Sequence, residues 1–472
     1  MKLDFKNMDK KKKILLAVLS GVVAIVIALA IIISVSISNK NNYDLAKTYY
    51  SNCKYEQATN LFKKLGNYKD SKEMYVRAYS YYSGDYKGVI ILDGIKDFVI
   101  PDGATEIKEE AFLDCKNLLS VEIPESVTTF NLNAFLGCSA LNKVNYLGDI
   151  NTWATLNFAN SEANPVSMGR NLYINGQTIG DVKLTNVDKI SSFAFYNCST
   201  ITSIEIPETV TSIGEYAFRN CNFLKKVNFL GDINSWAEID FKGYYSSPTA
   251  CSKNLYLNNQ LVENVNLTTA IKVPIGAFEN CTSIVSLVLG DSVKEIGENA
   301  FSGCTSIANM TLSNGLEKIG ESAFNSCSSL TEIIIPDSVT FIGFSSFRGC
   351  SSLITLTIPF VGERSDGSTK THFGYMFGMD SVSYNGDRVP ASLKTVIITS
   401  ATSLGQRAFY ECRNIKNIVI PKTVLTIGDD AFYKCPTLTI YTELESKPIG
   451  WSEYWNSDGR KVVWEYDGEE LN

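Results

Sequence analysis

The chain has 472 residues, of which 45% are apolar and 20% charged, and its formal net charge is −7. This length and apolar content are ample for a large core. The charge is uneven, because residues 1–88 hold 15 Lys and Arg against 7 Asp and Glu, which leaves −15 on the remainder. An acidic remainder argues against nucleic acid as a partner, since nucleic acid is bound by basic surfaces.

The N-terminal residues predict a membrane anchor. Residues 1–13 form a basic segment that ends in four lysines, and residues 14–37 follow as an apolar stretch. The uncharged run from Ile14 to Val35 makes a helix of roughly 33 Å, enough to cross a bilayer. The positive-inside rule then places residues 1–13 in the cytoplasm and the rest of the chain outside the cell. The alternative is a cleaved signal peptide, which has a shorter apolar region than this one.

Residues 39–86 predict a helical stalk. Tyr43, Ala46 and Tyr50 have helical spacing, and a second pattern follows from Tyr55 to Leu65. The run Tyr-Glu-Gln-Ala followed by Leu-Phe-Lys-Lys-Leu in this second pattern resembles a tetratricopeptide-type helical hairpin. Such a stalk lifts the next domain off the membrane and shields its first apolar face.

From about residue 90 to residue 440, a unit of about 23 residues recurs. In each unit a Phe is followed three residues later by a Cys, nearly always as Ala-Phe-x-x-Cys. The pairs are Phe112/Cys115, Phe135/Cys138, Phe195/Cys198, Phe218/Cys221, Phe278/Cys281, Phe301/Cys304, Phe324/Cys327, Phe347/Cys350, Phe409/Cys412 and Phe432/Cys435. A fixed period in this range predicts a solenoid of stacked coils.

The residues between successive Phe-x-x-Cys pairs predict that the coils are mainly β. Ile333 and Ile335 alternate with period two, and Pro336 ends the strand because it cannot donate to a ladder. Gly343 marks a second turn before the next Phe-x-x-Cys arc. Each coil therefore reads as strand, turn, short second strand, Gly turn and arc.

The cysteines predict packing rather than chemistry. Ten of the twelve share one position in the repeat, where a buried free thiol packs as a small hydrophobe, and Cys53 and Cys251 fall outside this ladder. Neighbouring coils are close enough for disulfides, an alternative that burial disfavours. The sequence disfavours zinc, because His372 is the single His and no C-x-x-C pair occurs. We expect no metal and no cofactor.

Three insertions interrupt the solenoid, at about 147–178, 230–261 and 360–392, and residues 441–472 are expected to cap its end. The first two repeat Gly-Asp-Ile-Asn-x-Trp at a distance of 83 residues. The Asp predicts a self-bonded turn, with a calcium loop as the alternative that one carboxylate per loop disfavours. Trp153 and Trp236 predict core packing, with stacking on sugars as the alternative.

The order of strand, Pro, Ile-Gly and Ala-Phe-x-x-Cys resembles the BspA-like class of leucine-rich repeats, over about residues 90 to 465. That class occurs mainly in bacterial and some protist surface proteins. The resemblance implies attachment to host matrix proteins, host cells or other microbes.

Side chains between the inward positions of the longer strands face out of the core. Early coils place charge there, whereas later coils place β-branched residues, although water alone would favour polar ones. The alternative is that β-branched residues simply favour strands. The candidate partner-binding residues are Val288, Thr311, Ile334, Thr357, Ile397 and Val419.

These observations favour a binding protein over an enzyme. No nucleophile elbow, phosphate loop or dinucleotide fingerprint is present, and His372 has no evident catalytic partner in the sequence and reads as a loop histidine. We expect no small-molecule substrate. The leading hypothesis is a single-pass cell-membrane protein whose extracellular repeats bind host matrix or other surface proteins. The alternative is an envelope scaffold that binds the cell's own proteins.

Overall fold

A computed structural model of the chain describes residues 8–169, 171–243 and 245–468. Residues 1–7 of the expected basic segment and residues 469–472 of the expected cap lie outside these ranges. The architecture is a mainly β solenoid preceded by helices, which confirms the predicted fold class.

From residue 8 onward, where the described part of the chain begins, four helices precede the solenoid. They are α1 (Lys10–Ser51), α2 (Tyr55–Leu65), α3 (Ser71–Ser83) and α4 (Lys87–Asp93). The apolar run and the first stalk helix are one continuous helix, because no Pro or Gly interrupts residues 22–51. Residues 87–93 are helical, so the first part of the expected solenoid belongs to the helices instead.

The end of α1 packs with α2 and α3 into a small core of its own. Tyr43 and Ala46 of α1 contact Ala58 and Phe62 of α2, together with Met74 of α3. The hydroxyl of Tyr43 also donates to Asp70, which immediately precedes α3. The likeness of this segment to a tetratricopeptide hairpin stays a prediction.

The solenoid contains short strands, numbered in chain order. The first ten are β1 (Asp97–Val99), β2 (Glu106–Ile107), β3 (Ser120–Ile123), β4 (Thr129–Phe130), β5 (Lys143–Tyr146), β6 (Asn157–Phe158), β7 (Leu172–Ile174), β8 (Gln177–Thr178), β9 (Asp181–Lys183) and β10 (Lys189–Ile190). The next ten are β11 (Ser203–Ile206), β12 (Ser212–Ile213), β13 (Lys226–Phe229), β14 (Asp240–Phe241), β15 (Leu255–Leu257), β16 (Gln260–Leu261), β17 (Asn264–Leu267), β18 (Lys272–Val273), β19 (Ser286–Leu289) and β20 (Glu295–Ile296). The last are β21 (Asn309–Thr311), β22 (Lys318–Ile319), β23 (Glu332–Ile334), β24 (Phe341–Ile342), β25 (Thr355–Ile358), β26 (Thr395–Ile398), β27 (Ser403–Leu404), β28 (Asn417–Ile420), β29 (Thr426–Ile427), β30 (Thr439–Thr442) and β31 (Lys461–Val463).

Equivalent strands of successive coils pair in parallel on two sides of the coil, which we call the first and second sheets although each is interrupted along the solenoid. The first sheet, of the longer strands, runs through β1, β3, β5 and β7, and later through β23, β25, β26, β28, β30 and β31. The second sheet, of two-residue strands, includes β18, β20, β22 and β24. Ile296 of β20, for example, lies opposite Val273 in the preceding coil and Ile319 in the next.

The Phe and Cys positions form a continuous ladder on the third side of the coil. The rings of Phe278, Phe301, Phe324 and Phe347 stack with centroids 5.1, 5.6 and 5.6 Å apart. The thiol of Cys304 donates to the carbonyl of Phe278 one coil earlier, at 3.0 Å. The same contact recurs from five further thiols of the repeat position, those of Cys138, Cys221, Cys327, Cys350 and Cys435.

All twelve cysteines are free, and Cys53 is exposed, outside the ladder. Cys251 was expected to lie outside the ladder as well, but its thiol donates to the carbonyl of Phe218 at 3.2 Å. It therefore occupies the ladder position of its own coil. Its coil carries no Ala-Phe-x-x-Cys motif, which is why the repeat pattern missed it.

The two similar insertions interrupt the repeat in the sequence, but the structure builds them into the stack. They contain α5 (Ile150–Thr155), α6 (Pro165–Gly169), α7 (Ile233–Glu238) and α8 (Thr249–Ser252). In the first insertion, β6 pairs with β4 and β7 pairs with β5, so the segment forms a further coil of both sheets. A hairpin of β7 with β8 then ends that part of the first sheet.

The third insertion lies between coils that pair directly, since β25 pairs with β26 across residues 359–394. A 3-10 helix, Phe373–Phe377, fills the ladder between the two flanking coils, and the ring of Phe373 lies 4.8 Å from that of Phe409. The backbone N–H of Phe347 donates to the carbonyl of Met376, and that of Phe373 donates to the carbonyl of Ala408. The insertion is therefore bonded to the coil on either side.

Aromatic side chains cover both ends of the solenoid. At the first coil, Tyr81 and Tyr86 lie against Phe98, with ring centroids 6.2 and 5.1 Å away. At the other end, Trp455 lies edge-on to Phe432, the last ring of the Phe-x-x-Cys series, at 5.9 Å. The first sheet also continues into the expected cap, through β30 and β31.

We predict that Cys327→Ala destabilises the solenoid by about 1–2 kcal/mol, because it removes a buried thiol and its bond to the carbonyl of Phe301. The measurement is the shift in the midpoint of chemical denaturation, followed by circular dichroism. Cys53→Ala is the matched control, and we expect it to change stability by less than about 0.5 kcal/mol because Cys53 is exposed. Equal effects of the two variants contradict a structural role for the ladder.

Candidate binding surface

The six candidate residues form one row on the outer face of the first sheet. Val288 lies opposite Thr311, and Ile334 lies opposite Thr357. Thr357 lies in turn opposite Ile397, which lies opposite Val419. We call these six residues the binding stripe. Between Thr311 and Ile334 the row crosses two strands that do not pair with each other.

The binding stripe is accessible and partly apolar. Ile334 is 60% exposed and Val288 is 42% exposed, which is high for side chains of this kind in a sheet. Thr311 is exposed as well, and Thr357, Ile397 and Val419 are half-buried. The inward neighbours Leu287, Ile333, Leu356, Val396 and Ile418 are all buried. The alternation places one side chain of each strand in the core and the next at the surface.

The equivalent row in the early coils is polar and internally paired. The side-chain amide of Asn145 donates to Glu122 at 2.9 Å, and that of Asn228 donates to Glu205 at 3.1 Å. The oxygen of Asn145 also accepts from the backbone of Gly176 in the hairpin of β7 and β8. The polar side chains of the early row therefore hold the hairpins in place. Among the described residues, the side chains of the binding stripe make no comparable hydrogen bonds, so such bonds do not explain why these residues occur there.

The row extends beyond the stripe into the expected cap. Tyr441 lies opposite Val419, and Val463 lies opposite Tyr441. The ring of Tyr441 is buried against Tyr466, at 5.1 Å between centroids. Sequence reasoning missed both residues because it assigned residues 441–472 to the cap, although Ile440 has the same inward character as Ile418 and Val396.

Trp153 and Trp236 are packing residues. Both are fully buried, and their indole nitrogens donate to the carbonyls of Ala194 and Ala277 at 2.9 Å. Each ring therefore joins its insertion to the following coil, as the core interpretation predicted. A fully buried ring has no face left to stack on a sugar.

The Gly-Asp-Ile-Asn turns begin helices. Asp149 accepts from the backbone of Thr152 at 2.7 Å, and Asp232 accepts from that of Ser235 at 2.8 Å. These are N-caps of α5 and α7, which use the carboxylate to satisfy a free helical N–H. Within the described ranges, no group of three or more His, Cys, Asp or Glu is arranged to hold a metal ion.

The ladder thiols are held in their protonated form. Burial raises the pKa of Cys281 to about 12 and raises the pKa of Cys304 well above its ordinary value. A thiol must lose its proton to attack a substrate or to bind a metal. The arrangement therefore suits packing and disfavours redox or nucleophilic chemistry.

His372 is buried, although its polar surroundings in the sequence suggested a loop histidine. The side chain is 2% exposed, and its Nε2 lies 2.9 Å from the carbonyl oxygen of Met379. The ring also lies edge-on to Tyr375, whose hydroxyl donates to Glu363 at 2.9 Å. Burial lowers the pKa of His372 below its ordinary value of 6.5, despite the opposing effect of the Met379 carbonyl.

Comparison with known protein families identifies the repeat. A family model described as the BspA type leucine rich repeat region matches in six copies, over residues 92–188, 166–274, 249–365 and 390–457. These ranges cover most of the solenoid. No curated protein matches the chain.

Several solved structures match the chain at low sequence identity. A leucine-rich repeat protein from Eubacterium ventriosum is 17% identical, with 76% of this chain and 86% of that chain covered and a TM-score of 0.42. A leucine-rich repeat protein from Bacteroides ovatus is 20% identical, with coverage of 78% and 91% and a TM-score of 0.37. A leucine rich cell surface protein from Faecalibacterium prausnitzii is 18% identical, with coverage of 75% and 88% and a TM-score of 0.37.

We predict that acid destabilises the third insertion through His372. Its lowered pKa means that the unfolded segment takes up a proton more readily, so the stabilisation present above about pH 6.5 is lost as the pH falls below that value. Amide exchange over residues 372–379, corrected for its intrinsic pH dependence, is expected to accelerate between about pH 7 and pH 5.5.

The control for this prediction is His372→Gln, whose amide keeps a donor for the Met379 carbonyl but does not titrate. We expect the corrected exchange of this variant to be independent of pH over the same interval. A wild-type insertion whose corrected exchange is equally independent of pH contradicts the assignment.

Proposed function

The chain belongs to the BspA-type leucine-rich repeat family, and we propose that it is a membrane-anchored cell-surface protein that adheres to other proteins through the binding stripe. The observation that carries this proposal is the stripe itself, a row of six β-branched side chains, exposed or half-buried, aligned across six strands. Leucine-rich repeat solenoids typically act as protein-binding scaffolds, since stacked coils offer extended surfaces rather than closed pockets.

The anchor is supported by the surface of α1. Large apolar side chains along residues 14–37 are more than half exposed, from Val23 at 51% to Ile32 at 62%. The helix is long and apolar enough to cross a bilayer. In water such a surface would be a large exposed apolar patch, whereas in a bilayer it is surrounded by hydrocarbon. The lysines that precede Ile14 favour an N-terminus in the cytoplasm and repeats outside the cell.

The helices after the anchor suit the role of a stalk. The last turns of α1 pack on α2, and α3 reaches the first coil through the stacked rings of Tyr81 and Phe98. Tyr86 continues this contact to Phe112, the first ring of the Phe-x-x-Cys series, at 5.2 Å. The apolar end of the solenoid is therefore shielded on the side that would face the membrane.

The stripe favours protein partners because it is broad and lacks clustered charge. Preference of β-branched residues for strands accounts for Val and Ile in the sheet, but it does not require them on an uncovered face. Thr, Ile and Val at successive rungs provide a flat surface with apolar and hydroxyl contacts. Host matrix proteins, host cells and other microbial surfaces are the partner classes that the family resemblance suggests.

The second candidate function is an envelope scaffold that binds the cell's own proteins through the helical segment. A groove of about 820 Å³ favours it, at the junction of the helices with the first coil. Tyr50, Tyr55 and Tyr82 line one side of this groove and Val99 lines the other. Aromatic residues are enriched in protein interfaces, so the groove fits a peptide partner.

We predict that protease added to intact cells cleaves the repeat domain and leaves the N-terminal segment protected. The measurement is immunoblotting with tags placed at either end of the full chain, with a cytoplasmic protein as the control for lysis. A C-terminal tag that survives treatment of intact cells and is lost only after lysis contradicts both the topology and the adhesion proposals.

We predict that Ile334→Glu and Val419→Lys each weaken capture of cells by the adhesive partner by about tenfold or more, because each inserts a charge into an apolar contact. The partner is identified by screening cells that display the full chain against immobilised matrix proteins and host cells.

Ile271→Glu is the matched control, since Ile271 is 71% exposed but lies outside the first sheet. Capture unchanged by both stripe substitutions excludes the stripe as the adhesive surface. Capture from envelope extracts by the helical segment, with no binding to matrix or host cells, favours the scaffold instead.

A further inference from the structure

The first sheet splits between β21 and β23, in a place where no residue is inserted. Cys304 and Cys327 of these coils are 23 residues apart, the usual period. The second sheet is continuous through the same coils, with β22 paired to β24. The Phe ladder is continuous as well, with Phe301 and Phe324 stacked at 5.6 Å. The coils are therefore joined on two sides and open on the third.

Two backbone hydrogen bonds that recur at other coil junctions are absent from this one, within the part of the chain that the structure describes. The N–H of Ile354 donates to Thr331 at 2.8 Å, but the equivalent N–H of Thr331 does not donate to Ala308. The N–H of Ile335 donates to Thr357 at 2.9 Å, but the equivalent N–H of Leu312 does not donate to Ile334. Two donors and two carbonyl acceptors are thus left open along the split.

The open strands line a groove of about 540 Å³ on the binding stripe. Its walls include Met310, Leu312, Ile334 and Ile335, and three of the stripe residues, Thr311, Ile334 and Thr357, belong to it. An apolar groove that also presents the unpaired N–H of Leu312 and the unpaired carbonyl of Ile334 matches an extended peptide. Such a segment supplies alternate side chains to the groove and backbone groups to the open strands.

The charge of the residues at the groove indicates which kind of peptide segment a partner would place there. Asp337 lines the groove and accepts from the hydroxyl of Thr399, and Glu332 is exposed at the start of β23. No Lys or Arg is among the described residues that line the groove. The carboxylate of Asp337 therefore complements a basic side chain of the partner, in a chain whose residues after 88 carry a formal charge of −15.

We propose that this groove is the anchor point of the binding stripe and takes an extended segment of a protein partner in which an apolar side chain is flanked by Lys or Arg. The inference rests on the proposed function, since it names the partner chemistry of the same surface. The apolar side chain lies between Met310 and Ile334, and the basic neighbour lies against Asp337.

The test uses the full chain in nanodiscs of zwitterionic lipid and two fluorescent peptides. In one peptide Ile and Val alternate with Lys, and in its twin Glu replaces each Lys. Fluorescence anisotropy is expected to show binding of the basic peptide at least about tenfold tighter than that of the acidic twin, with affinity falling as salt rises. Empty nanodiscs control for binding to lipid.

Substitutions separate the groove from the rest of the stripe. Ile334→Asn is expected to weaken binding of the basic peptide about tenfold, and Asp337→Asn to weaken it severalfold and reduce its dependence on salt. Ile271→Asn, at an exposed Ile outside the first sheet, is expected to leave binding unchanged. Thermal unfolding checks that each variant remains folded.

Amide hydrogen exchange tests the split without relying on any variant. In the free chain, the amides of Leu312 and Thr331 are expected to exchange faster than those of Ile335 and Ile354, and the basic peptide is expected to slow the exchange of Leu312, which lines the groove. Equal protection of the four amides in the free chain overturns the inference, as does equal binding of the two peptides.

The outcomes for the groove and for the stripe remain distinct. The groove proposal fails alone if neither peptide binds, or if Ile334→Asn and Asp337→Asn leave peptide binding unchanged, while Val419→Lys still weakens capture of the adhesive partner. Both proposals fail if the adhesive partner is captured equally well by wild type, Ile334→Glu and Val419→Lys.

Discussion

The structure depends on the contact that each coil makes with the previous one through its Phe-x-x-Cys arc. A stacked Phe ring buries apolar surface against its neighbour, and the Cys three residues later donates its thiol to the carbonyl of the previous Phe. A single coil has too little surface to bury either group, so neither contact exists before two coils meet. The period of the sequence is therefore the period of the stabilising interaction.

This contact explains why the long coils stay in the stack. In the second insertion Cys251 supplies the thiol to the carbonyl of Phe218, and in the third insertion Phe373 supplies a ring against Phe409. Each insertion thus restores the missing rung with a residue of its own. A helix that left the ladder unfilled would expose the apolar faces of the coils on either side. An insertion can therefore be accommodated in the stack only if one of its own residues fills the ladder position.

Sequence reasoning could predict the features that follow from the regular spacing of the repeat, and few others. The fold, the inward residues such as Ile333 and Leu356, and the outward row through Ile334 all follow from regular spacing. Cys251 could not be assigned because it lies 30 residues from Cys221 and outside the repeat motif. The burial of His372 depends on how residues 360–392 fold back over the stack, and a polar composition carries no signal for that.

The split between β21 and β23 is a further feature that could not be predicted from the sequence. Cys304 and Cys327 keep the usual period, so the sequence contains no gap that marks the opening. Leu312 and Thr331 donate no backbone hydrogen bonds across this junction because of how the two coils are aligned in space. Met310 and Ser313 stand where the next coil has Ile333 and Pro336, a difference that becomes visible only beside an intact junction.

The three sides of the coil differ in what they contribute to stability, and this difference explains why the first sheet can open at one junction. The ladder and the second sheet hold the coils together through residues that are buried and equivalent from coil to coil, such as Phe324 and Ile319. The first sheet can then lose two hydrogen bonds at one junction without separating the stack, because the other two sides remain joined. Sequence changes in the first sheet therefore cost the least stability. The outward row is accessible on that same side of the coil. A solenoid anchored along its ladder is in this way free to diversify along its sheet.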